Sequence, residues 1–108
     1  MTEIDLSDVN SEAFKNMSRL FTDCESLQRI NFGSDNKKIK DMTEAFSGCN
    51  SLEKLDLSTF NTEDILDMGR LFSGCHSLTS LDISSFDTKK VENMEAMFSG
   101  CYSLESIN

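Results

Sequence analysis

The residues that could do chemistry are few, and they lie close together in the run Gly74-Cys75-His76-Ser77. A thiol, the only imidazole and a hydroxyl fall within three positions. Such a cluster could be a zinc ligand set, a disulfide partner or a nucleophile with its base. Its setting argues against all three, because Cys24, Cys49, Cys75 and Cys101 follow one another at intervals of 25, 26 and 26 residues, and each has a serine two positions on. Ser77 is therefore one member of a column with Ser26, Ser51 and Ser103. Stacked at the spacing of parallel strands, about 5 Å, the four sulfurs would span on the order of 15 Å. A tetrahedral metal needs each sulfur within about 2.3 Å of it. Stacked side chains also point the same way, which opposes disulfides. Buried, reduced thiols are expected, as suits a reducing compartment. No metal, cofactor or catalytic residue is assigned, and the chain reads as a non-enzyme.

His76 occupies a slot filled elsewhere by Glu25, Asn50 and Tyr102. Variation of this kind predicts exposure, so His76 and Tyr102 are candidate partner contacts. A second column holds Asp5, Asn31, Asp56, Asp82 and Asn108. Like charges at neighbouring positions need compensation. Three sources remain open: the N–H groups of the turns beside Ser58 and Ser84, a basic partner, or a ladder of calcium ions. Asp5, Asn31, Asp56 and Asp82 join His76 and Tyr102 as the candidate binding residues.

The elements that must position these residues repeat with the cysteines. Ser51-Leu52-Glu53-Lys54-Leu55-Asp56-Leu57-Ser58 alternates apolar and polar residues in the manner of a half-buried strand. Val91, Met94, Met97 and Phe98 then follow a helical spacing. The same spacing recurs at Ile65, Met68, Leu71 and Phe72, at Ile39, Met42, Ala45 and Phe46, and at Phe14, Met17, Leu20 and Phe21. Asn10, Asn61 and Asp87 stand as N-caps, and Gly48, Gly74 and Gly100 as C-caps. Phe60, Phe86 and Val9 are expected to plug the coil between the two halves.

Strands are predicted near 2–6, 27–32, 52–57, 78–83 and 104–107, and helices near 11–22, 37–47, 62–73 and 88–99. The expected fold is thus α/β: a right-handed leucine-rich-repeat-like solenoid of five short parallel strands alternating with four helices. One repeat domain covers 1–108, with units at about 1–24, 25–49, 50–75 and 76–101 and a partial unit at 102–108. Exposed helix faces would carry a basic patch at Lys37, Lys38 and Lys40 and an acidic one at Glu63, Asp64 and Asp67.

Nineteen acidic against ten basic side chains give a formal net charge of −9. That balance opposes direct nucleic-acid binding, which draws on lysine and arginine, and it suits a protein partner with a basic surface. No apolar run reaches the roughly 18–20 residues that cross a bilayer, so no membrane insertion is expected. Strands at both termini would leave open ends suited to end-to-end self-association.

The run from Asp87-Thr88 through Val91, Met94, Met97-Phe98, Gly100-Cys101 and Ser103-Leu104, closed by Ile107, resembles the 26-residue bacterial surface protein repeat, a relative of the BspA-like leucine-rich repeats. The resemblance is weakest at Asn31-Phe32-Gly33-Ser34-Asp35-Asn36. It implies a non-enzymatic role in protein binding or adhesion, at the cell surface or outside the cell; a cytoplasmic location is expected if this is the complete product, since the N-terminus carries no signal. The expected function is a protein–protein interaction module using the sheet face or the helix face. The alternative is a small acidic inhibitor, of the kind a mobile element encodes, that mimics nucleic acid and binds a host nucleic-acid-processing enzyme.

Overall fold

A computed structural model describes residues 2–107. Seven short strands, all paired in parallel, make up the regular structure: β1 (Glu3–Asp5), β2 (Arg29–Asn31), β3 (Lys37–Lys38), β4 (Lys54–Asp56), β5 (Phe60–Asn61), β6 (Ser80–Asp82) and β7 (Ser106–Ile107). They form three sheets ordered β1-β2, β3-β5 and β4-β6-β7. In the first and third, partners stand one repeat apart, as in Glu3 with Arg29 and Lys54 with Ser80. The chain therefore stacks as successive coils.

The expected fold of five strands alternating with four helices does not form. Among the described residues the only helical element is one 3-10 turn, Ser11–Phe14; β3 lies at the start of the segment read as helical at 37–47, and β5 immediately precedes that at 62–73. The reason lies in where the amide hydrogens go. Met17, Arg19, Phe21 and Asp23 donate to the carbonyls of Asp41, Thr43, Ala45 and Ser47 in the next coil, while Leu20, Thr22 and Cys24 donate back three residues within their own coil. Alternate N–H groups thus serve the neighbouring coil and a chain of turns. The third coil repeats this, with Met68, Arg70, Phe72 and Gly74 donating to Asn93, Glu95, Met97 and Ser99.

Such a path needs two left-handed residues in each coil, one of them Asp23, Gly48, Gly74 or Gly100. Arg19, Glu44, Arg70 and Ala96 have φ between 54° and 58°, a conformation that interrupts any α-helix. Asn10 caps the 3-10 turn, and Gly48, Gly74 and Gly100 are left-handed as expected, but Asn61 and Asp87 cap no helix: their side chains accept from the N–H groups of Glu63 and Lys89, two positions ahead. Inward side chains every third or fourth residue satisfy a coil of turns as well as they satisfy a helix.

Inside, Met17, Met42 and Met68 are fully buried, and rings of Phe21, Phe46, Phe72 and Phe98 stack at 5.6, 5.9 and 5.6 Å. Phe60 is buried as a plug and Phe86 is half-buried, but Val9 is exposed and plugs nothing. The second unit, one residue shorter, departs from this register. There β3 pairs β5 at an offset of 23 residues, Lys37 with Phe60. Phe32 takes up the resulting space, its ring lying 5.0 to 6.4 Å from those of Phe14, Phe21, Phe46 and Phe60. Lys37 is consequently buried, its ammonium donating to the Asp35 carbonyl and lying 5.4 Å from the Phe14 ring. It does not belong to a surface basic patch. Lys38, the neighbour that does reach the surface, is bonded to Glu63 and Asp64.

Because Ala96 is exposed and left-handed, Ala96→Gly should raise stability by about 1 kcal/mol, the order of the left-handed penalty removed. A helical segment would instead lose about 1 kcal/mol on the same change. Thermal or urea unfolding of the two proteins reads the sign.

Candidate interaction surface

Alternation along the strands sends Leu55 and Leu81 inward and leaves Lys54 with Ser80, and Asp56 with Asp82, on the outer face. On β1 and β2 the same positions carry Glu3 with Arg29 and Asp5 with Asn31. β2 and β4 lie beside each other without joining into one sheet. An open groove of about 360 Å3 runs across them, lined by Glu3, Arg29, Ile30, Lys54, Leu55, Asp56, Ser80 and Asp82.

Each side chain of the acidic column is engaged by its own turn. Asp5 accepts from the Ser7 N–H at 2.9 Å and from its hydroxyl at 2.6 Å; Asp82 does the same with Ser84 at 3.0 and 2.6 Å. Asn31 and Asp56 accept from the N–H groups of Gly33 and Ser58. In every case one side-chain oxygen, Oδ1, accepts these bonds. For Asp5 and Asp82 the serine hydroxyl, then the serine N–H, holds the carboxyl below the usual aspartate value of 3.8. Asn108 lies outside the described residues.

His76 and Tyr102 come together elsewhere. Their rings stack at 5.3 Å and 14° on the turns that follow Cys75 and Cys101, and both are exposed. Six candidate residues therefore divide into a strand-face group and an aromatic pair. Sequence reasoning overlooked Glu3, Arg29, Lys54 and Ser80, although they precede the acidic column by two residues and so share its face.

The thiols form the ladder that their spacing implied. Cys49, Cys75 and Cys101 donate to the carbonyls of Phe21, Phe46 and Phe72 at 3.1 to 3.2 Å, and all four cysteines are free. Desolvation pushes the thiols of Cys49 and Cys75 up to about 12. A thiol that does not ionise is a poor nucleophile.

The lowered aspartates carry a definite pH dependence. A folded value below the unfolded one means that these turns add stability above about pH 3.8 and lose it as pH falls through the folded values. Carboxyl carbon shifts recorded against pH should place Asp82 below 3.8, and Ser84→Ala should move it back up. An Asp82 that titrates at or above 3.8 in the unsubstituted protein would mean that the turn is not formed.

Two segments, 2–54 and 15–108, match the family described as "Mycoplasma protein of unknown function, DUF285". Neither the curated proteins nor the solved structures contain a match to the chain. Together the two segments cover every described residue, and the chain belongs to the DUF285 family of mycoplasma proteins.

Proposed function

We propose that the chain is a non-catalytic protein-interaction module of BspA-like repeat type, and that its partner lies along the strand-face groove. The observation that carries this reading is the arrangement of charge there. Arg29 and Lys54 stand between Glu3 and Ser80 in one row, and Asp56 and Asp82 follow Asp5 and Asn31 in the next, two residues further along the strands. A basic centre in the first row, offset from the acidic run of the second, suits an extended polypeptide that presents acidic groups to Arg29 and Lys54 and basic groups to Asp56 and Asp82. The turn bonds fall on Oδ1 of Asp56 and Asp82, which leaves the other carboxylate oxygen of each to a partner. A groove of this size, open along its length, supplies side-chain contacts without enclosing a substrate.

The nucleic-acid mimic is less well supported by the same rows. A phosphate-like surface needs an unbroken acidic array, and Arg29 and Lys54 interrupt it at its centre. Among the described residues no helix is long and apolar enough to cross a membrane.

A displayed library of extended peptides, selected on the immobilised chain, tests the proposal. Selected sequences should carry Lys or Arg two positions from Asp or Glu. The double variant Asp56→Lys with Asp82→Lys should bind them about tenfold more weakly, on the order of 1.4 kcal/mol, with an unchanged circular dichroism spectrum. Peptides without that pattern, or an affinity that survives the reversal, would remove the groove as the site.

A further inference from the structure

The junction between the second and third coils lies inside the stack, yet it is bonded differently from the junctions on either side. Between the first and second coils, Met17 and Arg19 donate forward to Asp41 and Thr43, and Lys40 and Asp41 donate back to Lys15. Between the third and fourth, Met68 and Arg70 donate to Asn93 and Glu95, and Glu92 and Asn93 donate back to Leu66. The equivalent N–H groups of Met42, Glu44, Leu66 and Asp67 have no acceptor among the described residues. On the strand side the same junction lacks a β2–β4 ladder, and Phe32, unlike its equivalents Leu6 and Leu57, donates to no carbonyl of the next coil.

Each gap opens into a cavity. The strand-face groove occupies one, and on the turn face two cavities of about 220 and 180 Å3, which share Thr43 and Asp67, form a cleft lined from both coils. Between the gaps the coils stay bonded at two places. At one, Phe46, Gly48 and Glu53 bond across to Leu71, Ser73 and Gln28, with the Phe46 and Phe72 rings stacked at 5.9 Å. At the other β3 pairs β5, and Lys37 and Ile39 donate to Thr59 and Asn61. Bonded and open places therefore alternate around the coil. Charge distinguishes the turn-face gap. In that column Asn16 bridges Asp41, and Asn93 bridges Asp67 with its amide donating to the carboxylate at 3.1 Å. Across the open junction Asp41 and Asp67 meet as two carboxylates, which repel.

We infer that the second and third coils rock about an axis through the two bonded places, so that the strand-face groove widens as the turn-face cleft narrows. The first two coils move as one block and the last two as another, because the ladders within each block are continuous. Repulsion between Asp41 and Asp67 holds the cleft open and so keeps the groove narrow. Arg29 belongs to one block, and Lys54, Asp56 and Asp82 to the other. Rocking changes the separation between them, and with it the spacing of charges that a partner must match. A partner wedged between β2 and β4 closes the cleft on the opposite face. As a control on binding this rests on the groove being the site; the rocking itself does not.

A substitution without any ligand separates the rocking from the groove's role. Asp41→Asn keeps the oxygen that accepts from Thr43 and offers Asp67 an amide, as Asn93 does from the other side. In the 15N-labelled variant, hydrogen exchange at the amides of Met42 and Glu44 should slow about tenfold as each gains a bond. Nuclear Overhauser effects between Ile30 and Leu55, across the groove, should weaken at the same time. Asp67→Asn removes the same repulsion and is the second variant should circular dichroism show that the first perturbs the fold. Exchange unchanged in both variants, or slowed while the Ile30–Leu55 effects keep full strength, would overturn the inference. In the unsubstituted chain a groove-selected peptide should slow the same two amides; one that shifts Arg29 and Lys54 and leaves Met42 and Glu44 as they were would overturn the control of binding.

Discussion

Everything in this fold depends on backbone hydrogen bonds that join residues one repeat apart. A coil of turns cannot satisfy its own N–H groups as an α-helix does, so each coil is stable only against the next. That requirement fixes the register, and the register lines up the phenylalanine rings, the thiols and the methionines in columns. The left-handed non-glycine residues Arg19, Glu44, Arg70 and Ala96, with Asp23 in the first coil, are its conformational cost.

The same constraint accounts for the surface. Because register is held on the inner face, outer side chains are presented at fixed spacing whatever their identity. Arg29 and Lys54 are free to vary without disturbing Leu55 or Leu81, and a recognition surface can change while the columns beneath it do not. Where the shorter second unit breaks the register, β2 and β4 fail to join and the groove opens between them.

Much of this was legible in the residues. The cysteine interval marks the coil, the alternation at Leu55, Asp56 and Leu57 marks the strand, and an aspartate two positions before a serine marks a turn. The helices were misread because Val91, Met94, Met97 and Phe98 satisfy an i, i+3, i+7 rule that a coil of turns also satisfies. Left-handed Gly48, Gly74 and Gly100 fit a helix C-cap as well as a turn, so what separates the two is Arg19, Glu44, Arg70 and Ala96, which carry no compositional sign of that conformation. Burial of Lys37 was equally hidden, since it follows from the 23-residue offset between β3 and β5, which the 25-residue cysteine interval does not reveal. Glu3, Arg29 and Lys54 could have been found by extending the alternation two residues back from the acidic column.

The most direct test of the account is the measurement of scalar couplings across individual hydrogen bonds in the 13C,15N-labelled protein. Inter-coil bonding predicts a coupling from the Arg70 nitrogen to the Glu95 carbonyl carbon and from Phe72 to Met97, at 2.9 and 3.0 Å between the bonded atoms. Couplings from Arg70 to Leu66 and from Phe72 to Met68, the i−4 pattern of an α-helix, would contradict it.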